Sequence, residues 1–119
     1  MSDSDRSDCL FCKISDGKIP ARVVYRDERV IAFEDIKPHA PLHLLVIPTR
    51  HIARLSEAVP EDAEVFGALM VTAARLAREA GHGDNGFRVV MNSGPAAGQT
   101  VFHVHLHLLG GRALAWPPG

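Results

Sequence analysis

The chain has 119 residues and a formal net charge of −1, with 46% hydrophobic and 23% charged residues. This length and composition are typical of one globular domain that buries a core of its own. The net charge is close to zero, whereas proteins that bind nucleic acids or anionic membranes usually carry a large excess of charge of one sign. No apolar stretch is long enough to span a bilayer. We therefore expect a single-domain protein that binds neither nucleic acid nor membranes.

The N-terminal segment of residues 1–8, MSDSDRSD, is polar, and we expect it to be flexible, so that the domain spans residues 9–119. It has no basic start followed by an apolar run and does not resemble a secretory signal, which predicts a cytoplasmic protein. The only two cysteines, Cys9 and Cys12, form a CxxC pair. In a chain without an export signal, such a pair indicates metal binding or redox chemistry before a structural disulfide.

Three β-strands are predicted before any long helix. Residues 22–35 contain two β-branched runs around Asp27 and Glu28, which is the pattern of a hairpin. Residues 43–49 form a compact apolar run closed by Pro48. The two prolines in the stretch between these segments predict a loop.

One long helix is predicted from Pro60 to Ala80. Its apolar residues recur with helical spacing and form a single stripe of Val65, Phe66, Leu69, Met70, Ala73, Leu76, Ala77 and Ala80. Pro60 suits a first helical turn, and either Gly81 or Gly83 can end the helix. We interpret this helix as packing on the core and assign it no chemistry.

Two further strands are predicted over residues 87–93 and 101–109, joined by the glycine-rich segment 94–99. The chain therefore runs from strands to one helix and back to strands, with short connections. This order favours an α+β domain with a mainly antiparallel sheet over alternating β-α-β units.

The segment HVHLHLL, residues 103–109, places three of the seven histidines on alternate positions. Because side chains alternate across a strand, His103, His105 and His107 should share one face while the aliphatic residues between them enter the core. A metal site, a catalytic cluster and a polar strand face all remain open on these residues alone. Neutral histidine is a competent nucleophile at pH 7, which makes the catalytic cluster one candidate.

The segment NSGPAAGQT, residues 92–100, ends just before these histidines. Gly94 and Gly98 let backbone N–H groups approach an oxyanion closely, and Gln99 and Thr100 add further donors. Beside the histidine face, this loop indicates a phosphate site.

The pattern His-φ-His-φ-His-φ-φ, in which φ is aliphatic, resembles the signature of the histidine triad (HIT) superfamily. Five segments resemble its nucleotide-binding (HINT) branch in particular: FCKISDGKIPA, AFEDIKPHAP, LVIPTRHI, GQTVFHVHLHLLGGR and WPPG. The resemblance implies a HIT-like fold with a five-stranded, mainly antiparallel sheet, one long helix and a short helix. It also implies a homodimer in which the two sheets become continuous.

The resemblance further implies a purine nucleoside 5′-phosphoramidate hydrolase that releases AMP or GMP and an amine through a nucleotidyl-histidine intermediate on His105. His107, His43 and Thr100 complete the implied catalytic group. The implied nucleotide-binding residues are Phe33, Asp35, Ile36, Asn92, Gly98, Gln99, Thr100, His105, His107 and Trp116, the last across the dimer interface. Dinucleoside polyphosphate hydrolysis, and nucleotide binding by a regulatory protein with vestigial catalysis, are the alternatives.

Catalysis in this scheme requires no cofactor, but a structural zinc ion is a separate hypothesis. The resemblance places its ligands at Cys9, Cys12, His51 and His103. Four protein ligands leave no open coordination position, so this zinc would be structural and His103 would not move protons. A reversible disulfide between the cysteines and a catalytic zinc hydrolase are the alternatives.

Overall fold

The computed structural model describes residues 6–119 and contains one five-stranded antiparallel sheet in the order β1-β2-β3-β5-β4. The strands are β1 (Val23–Arg26), β2 (Val30–Glu34), β3 (Leu42–Pro48), β4 (Phe87–Val90) and β5 (Leu106–Gly110). A short helix, α1 (Leu10–Ser15), and a long helix, α2 (Ala63–Glu79), complete the fold. The predicted α+β architecture is confirmed. No helix in the described range is long and apolar enough to cross a membrane.

Part of the N-terminal segment 1–8, which the sequence predicts to be flexible, is described by the structure. Residues 1–5 lie outside the described residues, whereas Arg6–Asp8 form a turn of 3-10 helix. Arg6 pairs with Asp16 at 2.6 Å and donates to the carbonyl oxygen of Thr49 at 3.2 Å. These contacts tie the start of the described chain to the end of β3.

The two faces of the sheet carry separate apolar clusters. Helix α2 packs on one face, in a cluster of Val30, Ala32, Leu44, Val46, Leu69, Ala73, Leu76, Ala77, Leu106 and Leu108. Helix α1 and the residue before it pack on the other face, in a cluster of Cys9, Phe11, Cys12, Ile14, Ile31, Phe33, Leu45 and Ile47. Because side chains alternate along β5, the histidine of that strand lies on the α1 face.

Helix α2 begins later than predicted, and its buried stripe is narrower. Pro60–Asp62 form a 3-10 turn before the helix starts at Ala63. The helix is followed by Gly81 with φ +87°, which is one of the two predicted stops. Met70 is 50% exposed, and Thr72 is buried in its place. Only the side of the helix that carries Thr72 faces the sheet, and Met70 lies off that side.

Strand β5 begins at Leu106, whereas the sequence predicts a strand from residue 101. In the register of β3 and β5, Leu106 lies opposite Val46, so that Val104 would lie opposite Pro48. Pro48 has no N–H to donate to a ladder, and its carbonyl oxygen accepts from the ring of His103 instead. The ladder therefore ends at Leu106.

Only His107 of the three alternating histidines belongs to β5, and the prediction that all three lie on one regular strand is wrong. His103 and His105 precede the strand. Val104, between them, donates its N–H to the carbonyl oxygen of Ile52 at 2.8 Å. This bond holds the segment near the end of β3 without a sheet ladder.

Candidate active site and metal centre

His105 is a buried histidine whose protonation is fixed by its surroundings. Its Nδ1 lies 2.7 Å from the carbonyl oxygen of His103. Since a carbonyl oxygen only accepts, Nδ1 carries the proton and Nε2 of the neutral ring carries the lone pair. The ring packs edge-on against Phe11, with centroids 5.0 Å apart. Burial lowers the pKa of His105 below its usual value, so the ring is neutral at pH 7.

His43 and His107 form a pair on the neighbouring strands β3 and β5. Nδ1 of His43 accepts from the backbone N–H of His39 at 3.0 Å, which places the His43 proton on Nε2. That nitrogen lies 3.0 Å from Nδ1 of His107 and 3.3 Å from Oδ2 of Asp35. Burial lowers the pKa of both rings, that of His107 to about 4. The pair is therefore neutral at pH 7.

Asp35 stands between two concave regions of the surface. Its Oδ1 accepts from the N–H of Lys37 at 2.8 Å, as in a turn, while Oδ2 faces His43. The residue lines both an apolar cleft of about 720 Å³ and a smaller groove of about 400 Å³. One carboxylate therefore connects the cleft to the histidines.

The apolar cleft has the size and lining of a small-ligand site. Three predicted nucleotide-binding residues, Phe33, Asp35 and Ile36, line it, and Ile36 is 92% exposed at its mouth. Sequence reasoning missed Phe11 and Ile14 of α1, which form the facing wall. Their three-residue spacing in FCKIS was the available signal, since it predicts one face of a helical turn.

The groove contains His43, His107 and Asn92, all of which the resemblance placed in the site. Gly98 is adjacent: a Cβ built there would lie 4.0 Å from Nδ2 of Asn92. Gly98 also has φ +96°, a backbone conformation that favours glycine. The glycine-rich loop is thus brought to the groove.

Gln99 holds this loop from inside, with only 2% of its surface exposed. Its Oε1 accepts from the N–H of Gly94 at 2.8 Å. Its Nε2 donates to the carbonyl oxygens of Ala53 and Val101, at 2.8 and 3.1 Å. Both side-chain protons are therefore bound within the protein, and the side chain shapes the loop instead of facing a ligand.

The backbone donors of the loop are also largely taken. The N–H groups of Gly98 and Gln99 donate to the carbonyl oxygens of Pro95 and Gly94. Thr100 is exposed, and its hydroxyl has no partner among the described residues. Thr100 is therefore the member of this segment best placed to donate to a ligand.

Trp116 lines neither the cleft nor the groove and is 81% exposed. The tail before it is held by Arg88, which donates to the carbonyl oxygens of Leu114 and Ala115 at 3.4 and 2.8 Å. Within the described chain, Trp116 therefore contributes to neither region.

Four metal-ligand atoms converge beside α1: Sγ of Cys9 and Cys12, and Nδ1 of His51 and His103, all within 4.8 Å of one another. Nδ1 of His103 lies 3.3 Å from Cys9 and 3.4 Å from Cys12, while Nδ1 of His51 lies 3.3 Å from Cys12 and 3.3 Å from His103. Tetrahedral zinc, with bonds of about 2.0–2.3 Å, separates neighbouring ligand atoms by about 3.3–3.8 Å. The residues present fit a zinc ion.

The tautomer of His103 also fits this role. Its Nε2 lies 2.8 Å from the carbonyl oxygen of Pro48, so Nε2 carries the proton and Nδ1 presents its lone pair to the cysteines. The two cysteines are buried and free. Four protein ligands complete a tetrahedron, as in structural zinc sites.

Asp35, His43 and His107 are also close enough together to hold an ion. Nε2 of His43 would have to ligate it, yet that nitrogen carries the proton because Nδ1 accepts from the backbone of His39. This group is therefore a hydrogen-bonded network.

Residues 16–114 match the family model of the HIT domain. The chain belongs to the HIT family. A protein named as an uncharacterized HIT-like protein of Synechococcus elongatus is 51% identical over 112 residues, which cover 94% of this chain and 97% of the relative. Its counterpart in Synechocystis is 49% identical over the same shares of the two chains.

Solved structures agree with this HIT assignment. A HIT family hydrolase from Legionella pneumophila superposes with a TM-score of 0.93 at 48% identity, covering 94% of this chain and 100% of that one. A HIT family hydrolase from Clostridium thermocellum superposes with a TM-score of 0.88 at 44% identity, covering 91% of this chain and 94% of that one. The HIT fold is confirmed, whereas the HINT branch stays a prediction.

The histidine pair of this HIT domain, in which His43 is buried and His107 half-buried, predicts a pH-dependent stability. The pKa of His107 falls from 6.5 in an exposed histidine to about 4 in the folded chain, mainly through burial. Between these pH values the unfolded chain binds more protons, so the free energy of unfolding is highest above pH 6.5 and falls as the pH drops towards 4. Allowing for partial solvent screening, the loss is about 2 kcal/mol.

Urea unfolding of the wild type and of His107→Asn at pH 4 and pH 8 measures this effect. Asparagine does not titrate, so the variant should lose about 2 kcal/mol less than the wild type between the two pH values. Histidines that do not contact His107 titrate alike in both proteins, so their contributions cancel in the comparison. Equal losses of stability in the two proteins would contradict the lowered pKa of His107.

Proposed function

We propose that this HIT protein is a hydrolase that cleaves purine nucleoside 5′-phosphoramidates into a nucleoside monophosphate and an amine. The observation that carries the proposal is the state of His105, a buried neutral ring whose Nδ1–H is bound 2.7 Å from a carbonyl oxygen. Its Nε2 lone pair is therefore available to attack phosphorus. Two similar solved structures are described as HIT family hydrolases, which supports hydrolysis in general.

The cleft and groove suggest how such a substrate would lie. The base would occupy the apolar cleft against Phe11 and Phe33, and the ribose hydroxyls would meet the carboxylate of Asp35. The phosphate would then lie near His105, beside Asn92 and the hydroxyl of Thr100. In this arrangement the cleft gives affinity, and the polar groups fix the orientation.

The first chemical step forms a bond between phosphorus and Nε2 of His105 and breaks the P–N bond to the amine. An amine departs poorly as an anion, so it takes a proton as it leaves. His107 can supply it from Nε2, because its Nδ1 accepts from His43. The negative charge left on the His107 ring is balanced by the positive charge on the His105 ring that now bears phosphorus, until water returns the proton. The hydroxyl of Thr100 is the second candidate donor.

In the second step, water attacks phosphorus and the bond to Nε2 of His105 breaks. A proton of this water returns to the group that protonated the amine, and His105 recovers its neutral form. The nucleoside monophosphate leaves. Dividing one displacement into two in this way is the advantage of a covalent intermediate.

Zinc held by Cys9, Cys12, His51 and His103 would supply a structural cross-link and take no part in these steps. The cross-link would fix the backbone of His103, whose carbonyl oxygen holds His105. Catalysis by the histidines themselves requires no cofactor in this proposal.

A homodimer with one continuous sheet is part of the same proposal. Strand β4 lies at the edge of the sheet and pairs only with β5 among the described strands. On α2, Met70 and Val71 are 50% and 70% exposed. Open edge strands and apolar surfaces favour association, and a second copy would cover both. Sedimentation at the mass of two chains would support the dimer, and a monomer would refute it.

Steady-state hydrolysis of adenosine 5′-phosphoramidate carrying an aromatic amine tests the proposed activity, with and without chelator. Turnover in excess chelator by a folded protein would support it. AMP binding without turnover would indicate a nucleotide-binding regulator. Turnover of dinucleoside polyphosphates alone would place the activity on P–O–P bonds, and loss of turnover in a chelated protein that stays folded would indicate catalytic zinc.

A further inference from the structure

Gly111 and Arg112 directly follow β5 and pass close to the loop before β3. Gly111 has φ +91°, and a Cβ built there would lie 2.9 Å from Cβ of Pro41. A side chain at this position would strike the proline and strain the backbone, so the close passage requires glycine. Arg112 therefore lies beside the loop that contains His39.

Arg112 binds this loop through its backbone. Its Nε donates to the carbonyl oxygen of His39 at 2.7 Å. The N–H of His39 in turn donates to Nδ1 of His43 at 3.0 Å, and Nε2 of His43 lies 3.0 Å from Nδ1 of His107. A single chain of contacts therefore runs from an exposed guanidinium to the histidine pair.

We propose that Arg112 is a positioning residue that holds His43 in the tautomer with its proton on Nε2. By fixing the carbonyl group of His39, Arg112 fixes the main chain of the residue whose N–H selects this tautomer. With the His43 proton directed at Nδ1 of His107, the His107 proton is kept on Nε2. The inference rests on the proposed function, because there this proton faces the leaving amine.

The other contacts of the loop do not replace Arg112. Asp35 accepts from the N–H of Lys37 at 2.8 Å and donates its own N–H to the carbonyl oxygen of His43 at 3.1 Å, which fixes the beginning of the loop. Among the described residues, Arg112 is the donor to the carbonyl oxygen of His39. Because Arg112 is exposed, its replacement should leave the core intact.

Arg112→Gln tests the inference, with Arg112→Lys as the conservative variant. Long-range ¹H–¹⁵N spectra of the imidazole rings report which nitrogen of His43 carries the proton, and the spectrum of a His43→Gln variant assigns its signals. We expect the single Nε2–H pattern of the wild type to give way to a mixture in Arg112→Gln. The kcat for the phosphoramidate should fall about tenfold with little change in KM, and Arg112→Lys should recover part of both.

Arg88→Gln is the matched control, since Arg88 also donates to backbone carbonyls but holds the C-terminal tail. It should leave the His43 pattern unchanged. If it reproduces the change, packing of the tail accounts for the effect and the inference is overturned.

An unchanged His43 pattern in Arg112→Gln, or a kcat within about twofold of wild type, also overturns the inference. If the glutamine variant does not fold, the same comparison is made with Arg112→Lys. A His43 pattern and a kcat identical to those of the wild type would then overturn the inference. The spectra are recorded on ligand-free protein. A wild type that lacks phosphoramidate turnover but shows the expected spectral change would therefore refute the proposed function alone.

Discussion

Replacing His105 with alanine is expected to lower phosphoramidate turnover by a factor of at least about 10³ while AMP binding persists. The variant loses the only group proposed to form a bond to phosphorus, whereas the cleft that would hold the nucleoside is lined by other residues. Single-turnover kinetics and calorimetric titration with AMP measure the two quantities separately.

Intact-mass spectra of reactions quenched with denaturant at alkaline pH add a direct test of the intermediate, since a phosphorus–imidazole bond is labile in acid. The wild type should show the mass of a nucleotidyl adduct, and His105→Ala should not. His82→Asn is the control, because it removes a histidine that lines neither the cleft nor the groove. An adduct that persists in His105→Ala would assign the nucleophile to another residue.

Loss of the metal is expected to destabilise the fold by about 3 kcal/mol or more. Without an ion, the buried or half-buried ligands Cys9, Cys12, His51 and His103 would lose the metal bonds that offset much of their desolvation. Elemental analysis should find one zinc per chain, and chelator should lower the unfolding temperature. Protein purified without metal that unfolds at the same temperature with or without added zinc would refute the site.

Cys12→Ala provides the matched test of this metal site. The variant should contain no zinc, and its unfolding temperature should no longer respond to chelator. Lys13→Ala, on the same helix, has no ligand atom in the cluster and should retain both the metal and the response. Because Phe11 and Ile14 of this helix line the cleft, the metal-free protein should also bind AMP more weakly.

Much of the fold could be predicted because its signals are local. The helical spacing of Leu69, Ala73 and Leu76 defines the buried side of α2. The alternation of histidines with Leu106 and Leu108 predicts which side of β5 enters the core, and this holds within the strand. Such periodic patterns depend only on residues of the same element.

Features that depend on distant partners could not be predicted in this way. The start of β5 is set by Pro48, which lies on a strand far away in the sequence and meets β5 only in the folded register. Gln99 has a side chain that could donate to a ligand, but the carbonyl oxygens of Ala53 and Val101 accept both of its amide protons. No sequence pattern predicts the contact between Arg112 and the carbonyl oxygen of His39 either.

The missing N–H of Pro48 has a mechanical consequence for the proposed nucleophile. A residue inside a sheet cannot shift without disturbing the bonds of the strands beside it. His105 precedes the ladder, on a segment attached through the ring of His103 and the N–H of Val104. One proline thus places the reacting residue outside that constraint, whereas His43 and His107 lie within it.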